Sequence, residues 1–151
     1  MLTSTRRSLF ARIFASLAGG AVLANAARAA TGAGEVQKVV YHLSDLDKVN
    51  FVLGNIKNHI AGKGGPDKVR IVLVIHGPPL AAFVAAKASP RLSDMVMKTM
   101  ANGVAFQACG NTMKTQNVTR ADLLAGFEVA EEGGVTRIAD LQSEGYLYLR
   151  P

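Results

Sequence analysis

Val69-Arg70-Ile71-Val72-Leu73-Val74-Ile75 constrains the fold of this chain more than any other segment. It is apolar apart from Arg70, and five of its residues are β-branched. Gly64-Gly65-Pro66-Asp67 precedes it and His76-Gly77-Pro78-Pro79 follows it, so it is cut off at both ends by turn residues. A short continuous apolar run that does not alternate reads as a strand buried on both faces. Such strands belong to parallel sheets covered by helices on each side.

The flanking sequence supplies the rest of that architecture. Val39 to Leu43 is a short β-branched and aromatic run, hence a strand. Ser44 with Asp47 resembles a capping box, and Leu46, Val49, Val52, Leu53, Ile56 and Ile60 recur at helical spacing to about Ala61. After the Val69 strand, a short helix is expected from Leu80 to Lys87. Ser89-Pro90 then opens a helix with Leu92, Met95, Val96 and Met100 on its apolar face and Gly103 as its stop. Val104 to Ala108 reads as a third strand that runs into Cys109, with a short helical turn from Asn111 to Lys114. Thr119 and Asp122 make a second capping box, and Phe127 to Ala130 forms a fourth strand. Val135, Ile138 and Leu141 mark a last helix stopped by Gly145, and Tyr146 to Leu149 is a closing strand. This alternation predicts one α/β domain over residues 30–151, with three layers around a mostly parallel sheet of about five strands.

The first 29 residues read differently. Arg6 and Arg7 head a basic stretch, an apolar run follows from Ile13 to Ala24, and Ala27-Arg28-Ala29 offers a small-x-small cleavage site. This is the pattern of a cleaved export signal, and Arg6-Arg7-Ser8-Leu9-Phe10 resembles a twin-arginine signal. The alternative is a general secretory signal. Either way a soluble periplasmic protein is expected, without a stable membrane anchor. The signal also explains the charge. Of 17 lysines and arginines, four lie in the first 30 residues, which leaves 13 against 11 acids. A domain so nearly balanced has no electrostatic reason to bind nucleic acid.

In an open parallel sheet, ligands bind beyond the carboxyl ends of the strands. Here those ends carry His42 and Ser44, His76 and Gly77, and Cys109 to Thr112. Cys109, the chain's one cysteine, gives the strongest signal. Peptide N–H groups of the following turn, Gly110 to Thr112, would favour its thiolate and lower its pKa. A lone cysteine in an exported protein pairs with another molecule or stays reactive, unless it is a buried, inert thiol. His76 is placed to orient a ligand or hold that thiolate, or to bond a neighbouring loop. His42 has a similar location, and His59 reads as a surface residue of the first helix. Cys109, His76 and Met113 together raise the alternative of copper binding, because thiolate and thioether suit Cu(I). Met95 and Met100 fit a packed helix face. No G-x-S-x-G, C-x-x-C, H-E-x-x-H or G-x-G-x-x-G pattern occurs, which removes the common hydrolase, thioredoxin, zincin and dinucleotide readings.

Three segments add a resemblance. They are Val72-Leu73-Val74-Ile75-His76-Gly77-Pro78-Pro79-Leu80, Gly103-Val104-Ala105-Phe106-Gln107-Ala108-Cys109-Gly110-Asn111-Thr112-Met113, and Leu141-Gln142-Ser143-Glu144-Gly145-Tyr146-Leu147-Tyr148-Leu149. With them the chain, from Val36 to Pro151, resembles the DsrE/DsrF-like family of sulfur-relay proteins. The resemblance implies a flavodoxin-like fold without flavin or other cofactor, a homo-oligomer (trimer or hexamer), and a persulfide carried on the cysteine that ends the central strand. Cys109 matches that cysteine. The expected site is then Cys109 with His76, and Gly77, Gly110, Asn111 and Thr112 around the substrate, with no metal. The expected partners are a sulfur donor or acceptor protein, or a small sulfane compound such as thiosulfate or polysulfide. The alternative from another class is a non-catalytic oligomeric binding module.

Overall fold

A computed structural model describes residues 36–151. The expected export signal, residues 1–29, lies outside the described residues. Five strands form one sheet: β1 (Gln37–Leu43), β2 (Val69–Ile75), β3 (Ala105–Cys109), β4 (Glu128–Ala130) and β5 (Leu147–Leu149). Their order is β4-β3-β2-β1-β5, and every pairing is parallel. The α-helices are α1 (Val49–Lys63), α2 (Pro90–Ala101), α3 (Gly110–Gln116) and α4 (Gly134–Ser143). The expected flavodoxin-like, three-layer α/β architecture is the one observed. Among the described residues no helix is long and apolar enough to cross a membrane.

The strand order explains the two layers around the sheet. From β1 to β4 the chain always steps to the next strand in the same direction. Right-handed crossovers therefore put α1, α2 and α3 on one face. The last connection runs back across the sheet from β4 to β5, so α4 takes the opposite face, where it packs on β1, β2 and β3. The alternation within β2 follows. Ile71, Leu73 and Ile75 join the larger core with Val52, Leu53, Ile56, Leu92 and Val96, and Val72 and Val74 join the smaller one with Ile138 and Leu141. Phe83, Phe106 and Phe127 form a cluster in the larger core, with ring centroids 5.3–6.4 Å apart. All three are fully buried.

Local signals held where nothing non-local competed. The Ser89 side chain accepts a hydrogen bond from the Leu92 N–H, with Pro90 in the first turn, and Thr119 and Asp122 form their capping box. The box expected at Ser44 and Asp47 does not form. Asp45 is extended and binds Arg150 at 3.0 Å, Leu46–Lys48 is a 3-10 turn, and α1 starts at Val49 without a side-chain cap. The helix expected over residues 80–87 is also absent. Pro78–Phe83 is a 3-10 segment, after which Val84 bridges Leu123 and the Leu124 N–H donates to Phe83 O. Prolines at both opening positions remove amide donors, and the following residues find strand-like partners instead. Val135, expected on the buried stripe of α4, is 70% exposed.

Candidate functional site

The strand order has one place where neighbouring strands send their connections to opposite faces of the sheet. From β3 the chain leaves toward α3 on one face, and from β4 it leaves toward α4 on the other. Such a switch point opens a crevice at the carboxyl edge. The crevice here is an open cleft of about 820 Å3, and Cys109 lines it.

Close backbone approach builds the floor of this cleft. A Cβ on Gly134 would stand 3.2 Å from His76 Cβ and 3.3 Å from Cys109 Cβ. A Cβ on Gly110 would stand 3.0 Å from the Ala130 carbonyl oxygen. Glycine lets α4 begin directly against Cys109 and the end of β3 pass the end of β4 without forcing these neighbours apart. Side chains then tie the β2 loop to α3. The Gly77 N–H donates to Thr112 Oγ1 at 2.9 Å, and Gln116 Nε2 donates to the Gly77 carbonyl at 3.0 Å.

Cys109 is both the last residue of β3 and the N-cap of α3, and the Thr112 N–H reaches its Sγ at 3.5 Å. The residue is 5% exposed, so the thiol lies at the base of the cleft and not on its rim. Its pKa is lowered. Burial works against this and pushes the thiol up. The Thr112 hydroxyl and the peptide N–H groups of Thr112, Gly134 and Asn111 pull it down and prevail. These donors come from the starts of two helices on opposite faces, so the thiolate sits where both present unsatisfied N–H groups.

His76 stands beside Cys109 but brings it no charge. Burial and Arg150 lower its pKa, against the pull of Asp45, so its imidazole is neutral near pH 7. As a neutral ring His76 can still orient a ligand or hydrogen-bond the thiolate, while the groups that lower the thiol pKa are the Thr112 hydroxyl and the peptide N–H groups. The His76 ring stacks on His42, with centroids 4.7 Å apart and planes 19° from parallel. His42 Nδ1 is 2.7 Å from the Tyr148 hydroxyl. Burial, His76 and Arg150 lower the His42 pKa to about 4, opposed by Asp45. The Nε2 atoms of both histidines are buried without a partner among the described residues.

Of the residues expected at the site, Cys109, His76, Gly77, Asn111 and Thr112 all line the cleft. Gly110 does not; it is buried against β4 and serves as backbone. Met113 packs in the large core on the α1–α3 side, away from the cleft, so the proposed Cys109–His76–Met113 copper set is not assembled. Among the described residues no three His, Cys, Asp or Glu side chains are placed to hold a metal ion. His59, read as a surface residue, is half-buried and lies 2.9 Å from the Tyr41 hydroxyl. Sequence reading missed the loop after β4, Glu132-Gly133-Gly134, which forms one wall of the cleft. The paired glycines after the fourth strand were the available signal, because that strand ends on the same edge as the other three. Tyr148 was missed for another reason: only the β1–β5 pairing brings it to His42.

No family model and no curated protein matches the sequence. Solved structures do. MTH1491 from Methanobacterium thermoautotrophicum, a protein of unknown function, is 31% identical over 76% of this chain and 99% of its own, with a TM-score of 0.66. The YchN protein of E. coli is 12% identical over 76% of this chain and 99% of its own, with a TM-score of 0.57. BT1422 from Bacteroides thetaiotaomicron, a conserved protein of unknown function, is 14% identical over 76% of this chain and 95% of its own, with a TM-score of 0.60. The last two share the fold.

Proposed function

We propose that this chain, which belongs to one protein family with MTH1491 and has a DsrE-like fold, is a sulfur carrier that holds a sulfane sulfur as a persulfide on Cys109. The observation that carries the reading is the thiol itself. It lies at the base of a cleft at the sheet's switch point, with peptide N–H groups of Thr112, Gly134 and Asn111 favouring its thiolate. A thiolate is the nucleophile in sulfur exchange, and a persulfide anion in its place accepts from the same donors. In the loading step, Cys109–S⁻ attacks the outer sulfur of R–S–SH. The new Cys109 S–S bond forms as the R–S–S bond breaks, giving Cys109–S–SH and R–S⁻. No external oxidant is needed.

The proposal includes a periplasmic location, which the export-signal pattern of residues 1–29 supports. The proposal also includes a homo-oligomer. Among the described residues the edge strand β5 pairs on one side alone, and Leu147, Leu149 and Phe51 are exposed large apolar residues. Phe51 and Leu149 line one groove, and an open apolar edge invites cover by another chain. The carrier reading is tested by intact-mass analysis of the mature protein after exposure to polysulfide, beside Cys109→Ser. The wild type gains sulfur that a reductant removes, and the variant gains none. If neither gains sulfur, the better account is a binding module that uses the same cleft.

A further inference from the structure

The cleft that holds Cys109 has an uneven charge. Glu132 is exposed; among the described residues it is the one carboxylate side chain along the wall, no Lys or Arg lines the cleft, and Lys114 on α3 stays outside it. Two arginines elsewhere on these elements are engaged. Arg137 donates to Gln107 Oε1 and pairs with Glu144, and Arg150 pairs with Asp45. His76 lines the cleft as a neutral ring. The N–H groups that could receive an oxyanion are already directed at the sulfur of Cys109. An incoming anion therefore meets a thiolate that has taken up the local donors, a carboxylate at the rim and, among the described residues, no Lys or Arg in the cleft lining.

On the carrier reading above, we propose that the sulfur exchanged with Cys109 arrives on a persulfide whose organic group bears no charge and that sulfur oxyanions such as thiosulfate are turned away, with Glu132 as the specificity-determining residue. The exchange is the one already written: the outer sulfur passes to Cys109, and an uncharged R group leaves with its thiolate. Thiosulfate would instead need a dianion beside Glu132 and would release sulfite, also a dianion, into the same space. In water, a unit charge about 8 Å from a carboxylate changes a rate by roughly two- to three-fold. The difference between an anionic and a cationic reagent of equal size is then about five-fold.

Three methanethiosulfonates that differ only in a sulfonatoethyl, hydroxyethyl or trimethylammonioethyl group measure this. In each, Cys109–S⁻ attacks the thio sulfur, the Cys109–S–S–R bond forms, and methanesulfinate leaves. Rates are divided by those of a small free thiol. In the intact protein the sulfonate is expected to react about five-fold more slowly than the trimethylammonium reagent. Glu132→Gln removes most of that difference, and high salt shrinks it. Loading from thiosulfate and from a persulfide with an uncharged alkyl group, read by intact mass, is expected to favour the persulfide and to move toward thiosulfate in Glu132→Gln. A sulfonate that reacts as fast as the cation, or a ratio unmoved by Glu132→Gln, overturns this proposal and leaves the carrier reading standing. A thiol that none of the reagents reaches, or one that no donor loads, overturns both.

Discussion

Thr112 makes two contacts that a single substitution removes together. Its Oγ1 accepts the Gly77 N–H at 2.9 Å, and its hydroxyl heads the groups that pull the Cys109 thiol down. Thr112→Val keeps the shape and removes both. The orphaned Gly77 N–H is only half-buried, so the stability cost is about 1 kcal/mol. The thiol loses a donor to its charged form, and a hydrogen bond to a charged group is worth about 1.5–3 kcal/mol. Sulfur is a weak acceptor, so the lower end applies: the thiol pKa rises, and the thiolate fraction at a pH below it falls by up to about tenfold. The assay is the rate of iodoacetamide alkylation as a function of pH, with thermal melting alongside. Below both pKa values the variant reacts up to about tenfold more slowly, and the two rates converge at high pH. Thr112→Ser keeps the hydroxyl and restores the wild-type profile. A variant that melts earlier but titrates like the wild type would refute the claim that these donors set the thiol's charge.

Other expectations follow from the same coordinates. Phe106→Ala, at the centre of the aromatic cluster, costs about 3–5 kcal/mol in denaturant unfolding. Ser89→Ala removes the cap of α2 and costs about 1 kcal/mol in the same assay. His42 keeps a lowered pKa in the fold, so the unfolded chain binds its proton first as the pH falls. Stability on this account drops between about pH 6.5 and pH 4, the value to which the fold lowers it, and His42→Phe flattens that slope in urea titrations at stepped pH. Sedimentation of the mature protein at micromolar concentration is expected to give an oligomer; a monomer there would remove the assembly from the proposal.

The architecture was legible because it rests on periodicity and on turn residues. The apolar β2 run and the apolar stripe of α1 demand the same neighbours however the rest of the chain folds. The candidate edge was legible too, since Cys109, His76 and Gly77 end strands of a parallel sheet. What the sequence hid depends on partners far along the chain. Asp45 binds Arg150 and so displaces the start of α1, and Val84 pairs with Leu123 in place of continuing a helix. The depth of Cys109 is also non-local, because Gly134 comes against it from a helix on the other face. Local pattern said that a thiol ends β3; only the crossing of the last connection says which N–H groups surround it.

The central claim is that Cys109 carries sulfur in its working state. Its most direct test is the mass of the mature protein isolated without reductant from the periplasm of its own cells. The account predicts a chain that has lost its export signal and bears one extra sulfur atom on Cys109, removed by a reductant. A protein whose Cys109 is only ever a free thiol there, even when the cells are fed a sulfane donor, would contradict it.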